Sequence, residues 1–204
     1  MAMSITLRRG SIIPRTLEFA LPLEPLPYDP AQARRLLAED GYPNGFEAGE
    51  LTPIPPFFTM GEAVGNYLGS VGIRTKMRTM ERAAFLSDWR EKKLKGLIRT
   101  GSGAFGNAAT RFETYGVSTG AYAYGSHADI DDLFRQQAVE RDRTRREALL
   151  HQLQRLMQEQ VMHAPIAEPA ALHGVGPRVE EPGVGLIPLF AYFGPYEGMR
   201  LKKP

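Results

Sequence analysis

The chain predicts an α/β fold, a mixed and partly parallel sheet with flanking helices. Three observations carry that reading. Residues 28–47 spell out one complete helix with its start and its stop. Downstream, helical-period runs alternate with short period-two runs in the order helix, strand, helix, strand, which implies βαβ crossovers. And 21 Gly with 16 Pro in 204 residues place many turns between those elements.

Residues 1–27 read as an extended connector. Leu21-Pro22-Leu23-Glu24-Pro25-Leu26-Pro27 alternates proline with other residues and cannot continue a helix. A helix follows over about 30–40. Asp29 is placed to cap its first turn and Pro30 suits the first helical position. Ala33, Leu36 and Leu37 make an apolar stripe; Gly41 closes the helix and Pro43-Asn44-Gly45 turns the chain. Phe46 to Leu51 is a short strand, and Pro53 to Pro56 breaks it.

Met60 to Ser70 is a second helix, with Thr59 as expected N-cap, Glu62 at capping-box spacing, and Val64, Tyr67 and Leu68 on one face. Gly72 ends it, and residues 73–80 alternate as a half-buried strand. Glu81 to Lys92 is a third helix with Ala84, Phe85, Leu86 and Trp89 inward, and Leu97 to Thr100 a short strand running into a glycine-rich loop, 101–107. A Gly- and Tyr-rich stretch leads to two amphipathic helices, 128–137 and 144–160, the second capped by Asp142 or Thr144. Leu149, Leu153, Leu156, Met157 and Val161 line its stripe, which reads as core. Pro165 to Pro169 is extended, and the tail from Gly174 has no clear helix but carries apolar patches at 186–190 and 192–193.

Composition excludes several classes. The 25 basic and 23 acidic groups leave a net charge of +2 without a basic run, so nucleic acid is not an expected partner. Absence of cysteine removes disulfides, thiolate metal sites and cysteine nucleophiles. No apolar run is long enough to cross a bilayer, and residues 1–14 do not read as a secretory signal. His127, His151, His163 and His173 show no zinc spacing, so no metal or cofactor is expected. Ser102 lies between two glycines and lacks nucleophile-elbow spacing. Gly101-x-Gly103-x-x-Gly106 matches a dinucleotide fingerprint without a clear helix after it or an acidic residue about twenty positions on. Asp129, Asp131 and Asp132 suit a dipole-favoured first turn better than an acid/base pair.

The block from Tyr28-Asp29-Pro30 to Gly41-Tyr42-Pro43-Asn44-Gly45-Phe46 also carries a resemblance. It is similar to a segment of the family 5 extracytoplasmic solute-binding proteins of ABC transporters, the dipeptide, oligopeptide and nickel-binding class. The likeness continues in order through residues 62–76, Glu81 with Phe85-Leu86, Asp129 to Leu133, Asp142 to Gln160, and Ala164-Pro165-Ile166, covering roughly 28–180.

The resemblance implies one lobe of a type II periplasmic-binding-protein fold. On it, 1–27 is a connector, 28–173 the C-terminal lobe and 174–204 a tail returning to an N-terminal lobe not contained in the chain. The implied function is solute binding for an ABC importer, without enzyme activity, in the periplasm. The implied partners are a small, peptide-like or other solute and an ABC permease; the exposed tail suggests self-association. The implied ligand-binding residues are Arg99, Thr100, Gly101, Ser102, Gly103, Phe105, Asn107, Tyr115, Tyr122 and Tyr124. Peptide binders of the family often carry a Trp and an Asp-Tyr pair near this loop, the Asp pairing with a peptide ammonium group. No acidic residue stands between Lys95 and Arg111 here, a departure that speaks against a peptide with a free amino terminus, and the small glycines leave room for a bulkier or less charged ligand. The alternative from the glycines alone is a small α/β enzyme holding a phosphate-containing ligand at the Gly101–Gly106 loop.

Overall fold

The computed structural model describes residues 10–15, 17–101, 106–168, 174–184 and 194–202. The chain divides into two compact units, one of residues 26–102 and one of 1–25 with 103–204.

The first unit begins with α1, Pro30–Glu39, whose Asp29 carboxylate accepts from the Gln32 amide at 2.8 Å with Pro30 in the first turn. Such a cap is worth about 1 kcal/mol. The expected apolar stripe does not bury: α1 has no buried residue, and Leu36 is 51% exposed. β1 spans Phe46–Pro53, α2 Phe58–Ser70, β2 Ile73–Met77, α3 Arg82–Arg90 and β3 Leu97–Arg99. All three strands are parallel, in the order β2-β1-β3. Both crossovers being right-handed requires α2 and α3 on opposite faces of this sheet.

Two caps differ in outcome. Glu81 caps α3, its carboxylate accepting from Ala83 and Ala84 amides. Thr59 does not cap α2, which starts earlier, after Phe57, without a side-chain cap. Gly61 on this helix is pressed against Pro53, so close that a β-carbon would sit 2.8 Å from its ring. On α3, Phe85 and Trp89 are buried and in ring contact at 5.7 Å, while Ala84 faces outward. Gly96 takes φ +70° before β3, where a β-carbon would lie 2.3 Å from the Glu50 carbonyl oxygen. That contact lets β3 close on β1.

The second unit is built on α5, Ala128–Val139, and α6, Arg143–Glu159, packed together. Asp142 caps α6, accepting from Arg145 N at 2.8 Å. Leu150, Leu153 and Met157 are buried at helical spacing; Leu149 and Leu156 flank them. Val161, expected on that stripe, is 60% exposed, because the helix ends at Glu159 and Val161 turns to φ +49°. A short helix, α4 (Ala108–Arg111), continues into a π-helical turn, Phe112–Gly116, in the stretch where the sequence predicts no element. Its Ala108, Ala109 and Phe112 join the same core.

The opening segment also enters that core. It is irregular, as its prolines require, yet Ile13, Leu17 and Phe19 are buried against α4–α6 residues. Two short antiparallel strands, β4 (Val179–Glu181) and β5 (Arg200–Leu201), form a separate ribbon. The apolar patches expected at 186–190 and 192–193 lie outside the described residues.

Candidate functional site

In parallel α/β sheets, ligands collect outside the carboxyl ends of the strands, where loops diverge. In the first unit that edge is formed by the segment after β1, residues 54–57, and the end of β3 at Arg99. The two are joined by the Ile54 amide donating to the Arg99 carbonyl at 2.8 Å. Arg82 reaches the same edge and donates through Nη1 to the Pro55 carbonyl at 2.7 Å. Arg78 pairs with Glu50 at 3.1 Å and with Asp88 at 3.6 Å.

Arg99 is different. Its guanidinium carbon lies 4.8 Å from the centre of the Phe57 ring, and Nη2 is directed at the Met60 sulfur. Nε and Nη1 are buried with no hydrogen-bond partner. Burial lowers its pKa from the usual arginine value, though an arginine stays charged at any ordinary pH. Thr100 turns its hydroxyl to the Gly101 carbonyl at 3.3 Å, and Gly101 has open space around it. Ser102, Gly103 and Phe105 lie outside the described residues.

The remaining expected residues lie in the second unit. Asn107 caps α4, its side-chain oxygen accepting from Ala109 N at 3.0 Å, and bridges to Glu18 in parallel fashion. Tyr115 and Tyr122 stack with centroids 5.8 Å apart and planes 22° from parallel. Tyr124 is 45% exposed. Sequence reasoning missed Arg111. It is 3% exposed, sits over the Tyr115 ring at 5.8 Å, and leaves Nε and Nη2 without partners. Burial lowers its pKa and Tyr115 opposes the shift. The available signal was an arginine inside the apolar run Ala108-Ala109-Thr110-Arg111-Phe112.

The acidic cluster at α5 has local work. Burial works to raise the Asp131 pKa, but hydrogen bonds from the Ser118 amide and the Ser126 hydroxyl, with Arg135 nearby, take it below the usual value. Asp129 accepts from Ile130 N at 2.9 Å. Among the described residues no three His, Asp or Glu side chains converge as metal ligands, and no helix is long and apolar enough to cross a membrane.

This architecture recurs in solved structures. HbpA2 from Haemophilus parasuis superposes with a TM-score of 0.76 at 20% identity, over 97% of this chain and 40% of that one. The fold is that of one lobe of the ABC-transporter solute-binding proteins. A dipeptide-binding protein from a Pseudoalteromonas species, in complex with Met-Leu, matches over 80% of this chain and 35% of its own, with TM-score 0.70 and 22% identity. In sequence, heme-binding protein A of Haemophilus influenzae is 26% identical over 168 residues, 78% of this chain and 31% of that protein. A glutathione-binding protein of Pectobacterium atrosepticum is 53% identical over 34 residues, 17% of this chain and 7% of its own. The chain thus spans about a third of the length of heme-binding protein A. No protein-family model matches it.

Proposed function

We propose that this lobe belongs to the solute-binding component of an ABC importer. It supplies one wall of a ligand cleft and delivers solute, in the periplasm, to a permease. The observation that carries the reading is the three-stranded parallel sheet with its carboxyl edge at Phe57, Arg99 and Gly101, on a fold shared over 97% of the chain with HbpA2. The lobe acts by contact and closure, without covalent chemistry. The relatives' ligands set the panel to try: dipeptides, glutathione and haem.

One wall of a cleft buries less ligand surface than two, so the isolated chain binds weakly. A titration of the isotope-labelled chain with that panel, followed by NMR, is expected to move the amide signals of Phe57, Thr100 and Gly101 only at millimolar ligand. A dissociation constant at or below a micromolar, about −8 kcal/mol, would contradict the one-wall reading. A saturable response to nucleoside phosphates instead, abolished by Gly101→Val, would replace it with the phosphate-binding enzyme.

A further inference from the structure

Three arginines stand near the carboxyl edge of the parallel sheet, and two have ordinary structural partners. Arg78 pairs with Glu50 and Asp88; Arg82 is spent on the Pro55 carbonyl. Arg99 has no such partner. Two of its nitrogens are buried without any hydrogen bond, and the third contacts only a thioether. No ion pair from Arg99 to a carboxylate occurs among the described residues. A buried unmet donor is costly and a charged one more so; Arg111 shares that state but is enclosed at 3% exposure in the second unit, whereas Arg99 ends a strand at the carboxyl edge of the sheet.

The shape of the group narrows what completes it. A guanidinium grips a carboxylate through two parallel N–H donors, and both available forks, Nε with Nη2 and Nη1 with Nη2, include Nη2. In this chain Nη2 is directed at the Met60 sulfur, a weak acceptor. Met60 lies on the first turn of α2, and Phe57, 45% exposed, covers one face of the guanidinium. An incoming oxyanion therefore gains two charge-assisted bonds once it displaces the weak sulfur contact and uncovers Nε or Nη1, both buried in this structure.

We propose that Arg99 is the specificity residue for a carboxylate of the solute, which its guanidinium grips side-on or end-on after Nη2 leaves Met60, with Phe57 as the apolar flank. This rests on the solute-binding reading and names its substrate class: solutes bearing a free carboxylate, in place of ones recognised by their ammonium group. The chain's lack of any acidic residue between Lys95 and Arg111 agrees with that preference.

The test uses the whole chain, labelled with nitrogen-15, and three probes: Met-Leu, its C-terminal amide, and sodium acetate. NMR follows the Arg99 Nε–Hε signal together with backbone amides. Free Met-Leu and acetate are expected to shift Nε–Hε saturably, and the amide to bind at least tenfold more weakly than the free acid. Arg99→Gln should erase the difference between acid and amide while keeping the amide fingerprint. Met60→Leu, which removes the sulfur and keeps the bulk, should bind the free acid at least as tightly as the parent. Equal binding of acid and amide, or shifts at Phe57 and Gly101 beside an unmoved Nε–Hε, would overturn the Arg99 assignment and leave solute binding standing. No shift anywhere with any probe would overturn both. Should Arg99→Gln fail to fold, a Met60→Leu chain that has lost acid binding would refute the assignment by itself.

Discussion

Gln154 and Phe19, 135 positions apart, are joined by a buried hydrogen bond: the Gln154 amide nitrogen donates to the Phe19 carbonyl at 2.9 Å. The same side chain accepts from the Leu21 amide at 2.8 Å. Gln154 is 2% exposed; its bond to the Phe19 carbonyl is buried and that to the Leu21 amide partly so. This one amide fastens the irregular opening segment to α6. Gln154→Leu, close in volume, leaves both backbone groups unmet and should cost about 2–3 kcal/mol in urea unfolding, near the upper range for an orphaned buried polar pair. A loss under 0.5 kcal/mol would mean that the opening segment is not held through this residue.

Gly96 and Gly101 make a matched pair for the glycine argument. Gly96→Ala must strain a φ of +70° and drive a methyl into the Glu50 carbonyl, 2.3 Å away. It should destabilise by more than about 2 kcal/mol, since backbone cannot yield as a flexible side chain does. Gly101→Ala meets open space and should stay within about 0.5 kcal/mol of the parent. Thermal unfolding of both variants decides it; equal melting temperatures would refute the close approach of β3 to β1.

His163 gives the pH dependence. It lines a recess with Ser11, Phe112, Met157 and Gln158, its Nδ1 has no partner, and burial holds its pKa below the usual 6.5. Between the folded value and 6.5 the unfolded chain binds the proton and the folded chain does not. Stability therefore rises with pH across that window, levels off above 6.5, and falls as the pH drops below it. Asp131, also lowered, adds its own loss only below about 3.8, a separate window. His163→Phe should flatten the upper step in urea midpoints measured from about pH 2 to 8 and leave the acid step unchanged. An unaltered upper step would assign it to another group.

Arg111 tests whether a buried cation here serves the fold. With no carboxylate paired to it among the described residues and two unmet nitrogens, it carries a desolvation cost without an ion-pair return. Arg111→Met keeps the length and removes the charge, so the urea midpoint should hold or rise. A drop equivalent to more than about 2 kcal/mol would show that its place over the Tyr115 ring is worth more than its burial costs.

Much of the fold was legible because it is written locally. Asp29 and Asp142, both read as caps, sit one residue before their helices and accept an amide from the first turn; Glu81, read as the first residue of its helix, caps it instead. Capping acts over three residues, so neighbours in sequence suffice to foresee it. The alternation at Ile73–Met77 foretold a half-buried strand for the same reason. Failures fell where distant residues intervene. α2 begins at Phe58, so Thr59 falls inside it and caps nothing, and the helix lies on Pro53 through Gly61. Leu36 and Val161 continue helical stripes yet stand exposed, since an amphipathic pattern names a face and not the surface that will cover it.

The candidate site divides along the same line. Arg99 was among the residues named in advance, but its unmet nitrogens and its contacts with Phe57 and Met60 were not readable. Those two partners come from chain some forty positions earlier, brought near by parallel pairing of β1 with β3. Arg111 shows the converse: a charged residue expected at the surface is enclosed because α4 joins a core assembled from three remote segments.

From its residues alone the chain specifies its α/β class, most of its helices and the caps at Asp29 and Asp142, because propensity, capping and periodicity are settled within a turn or two of backbone. Which stripes are covered, how Ile13, Leu17 and Phe19 become core, and that Arg99 and Arg111 are left with idle donors emerge on folding. Burial and hydrogen-bond satisfaction depend on partners far along the chain, and only the packed arrangement chooses them.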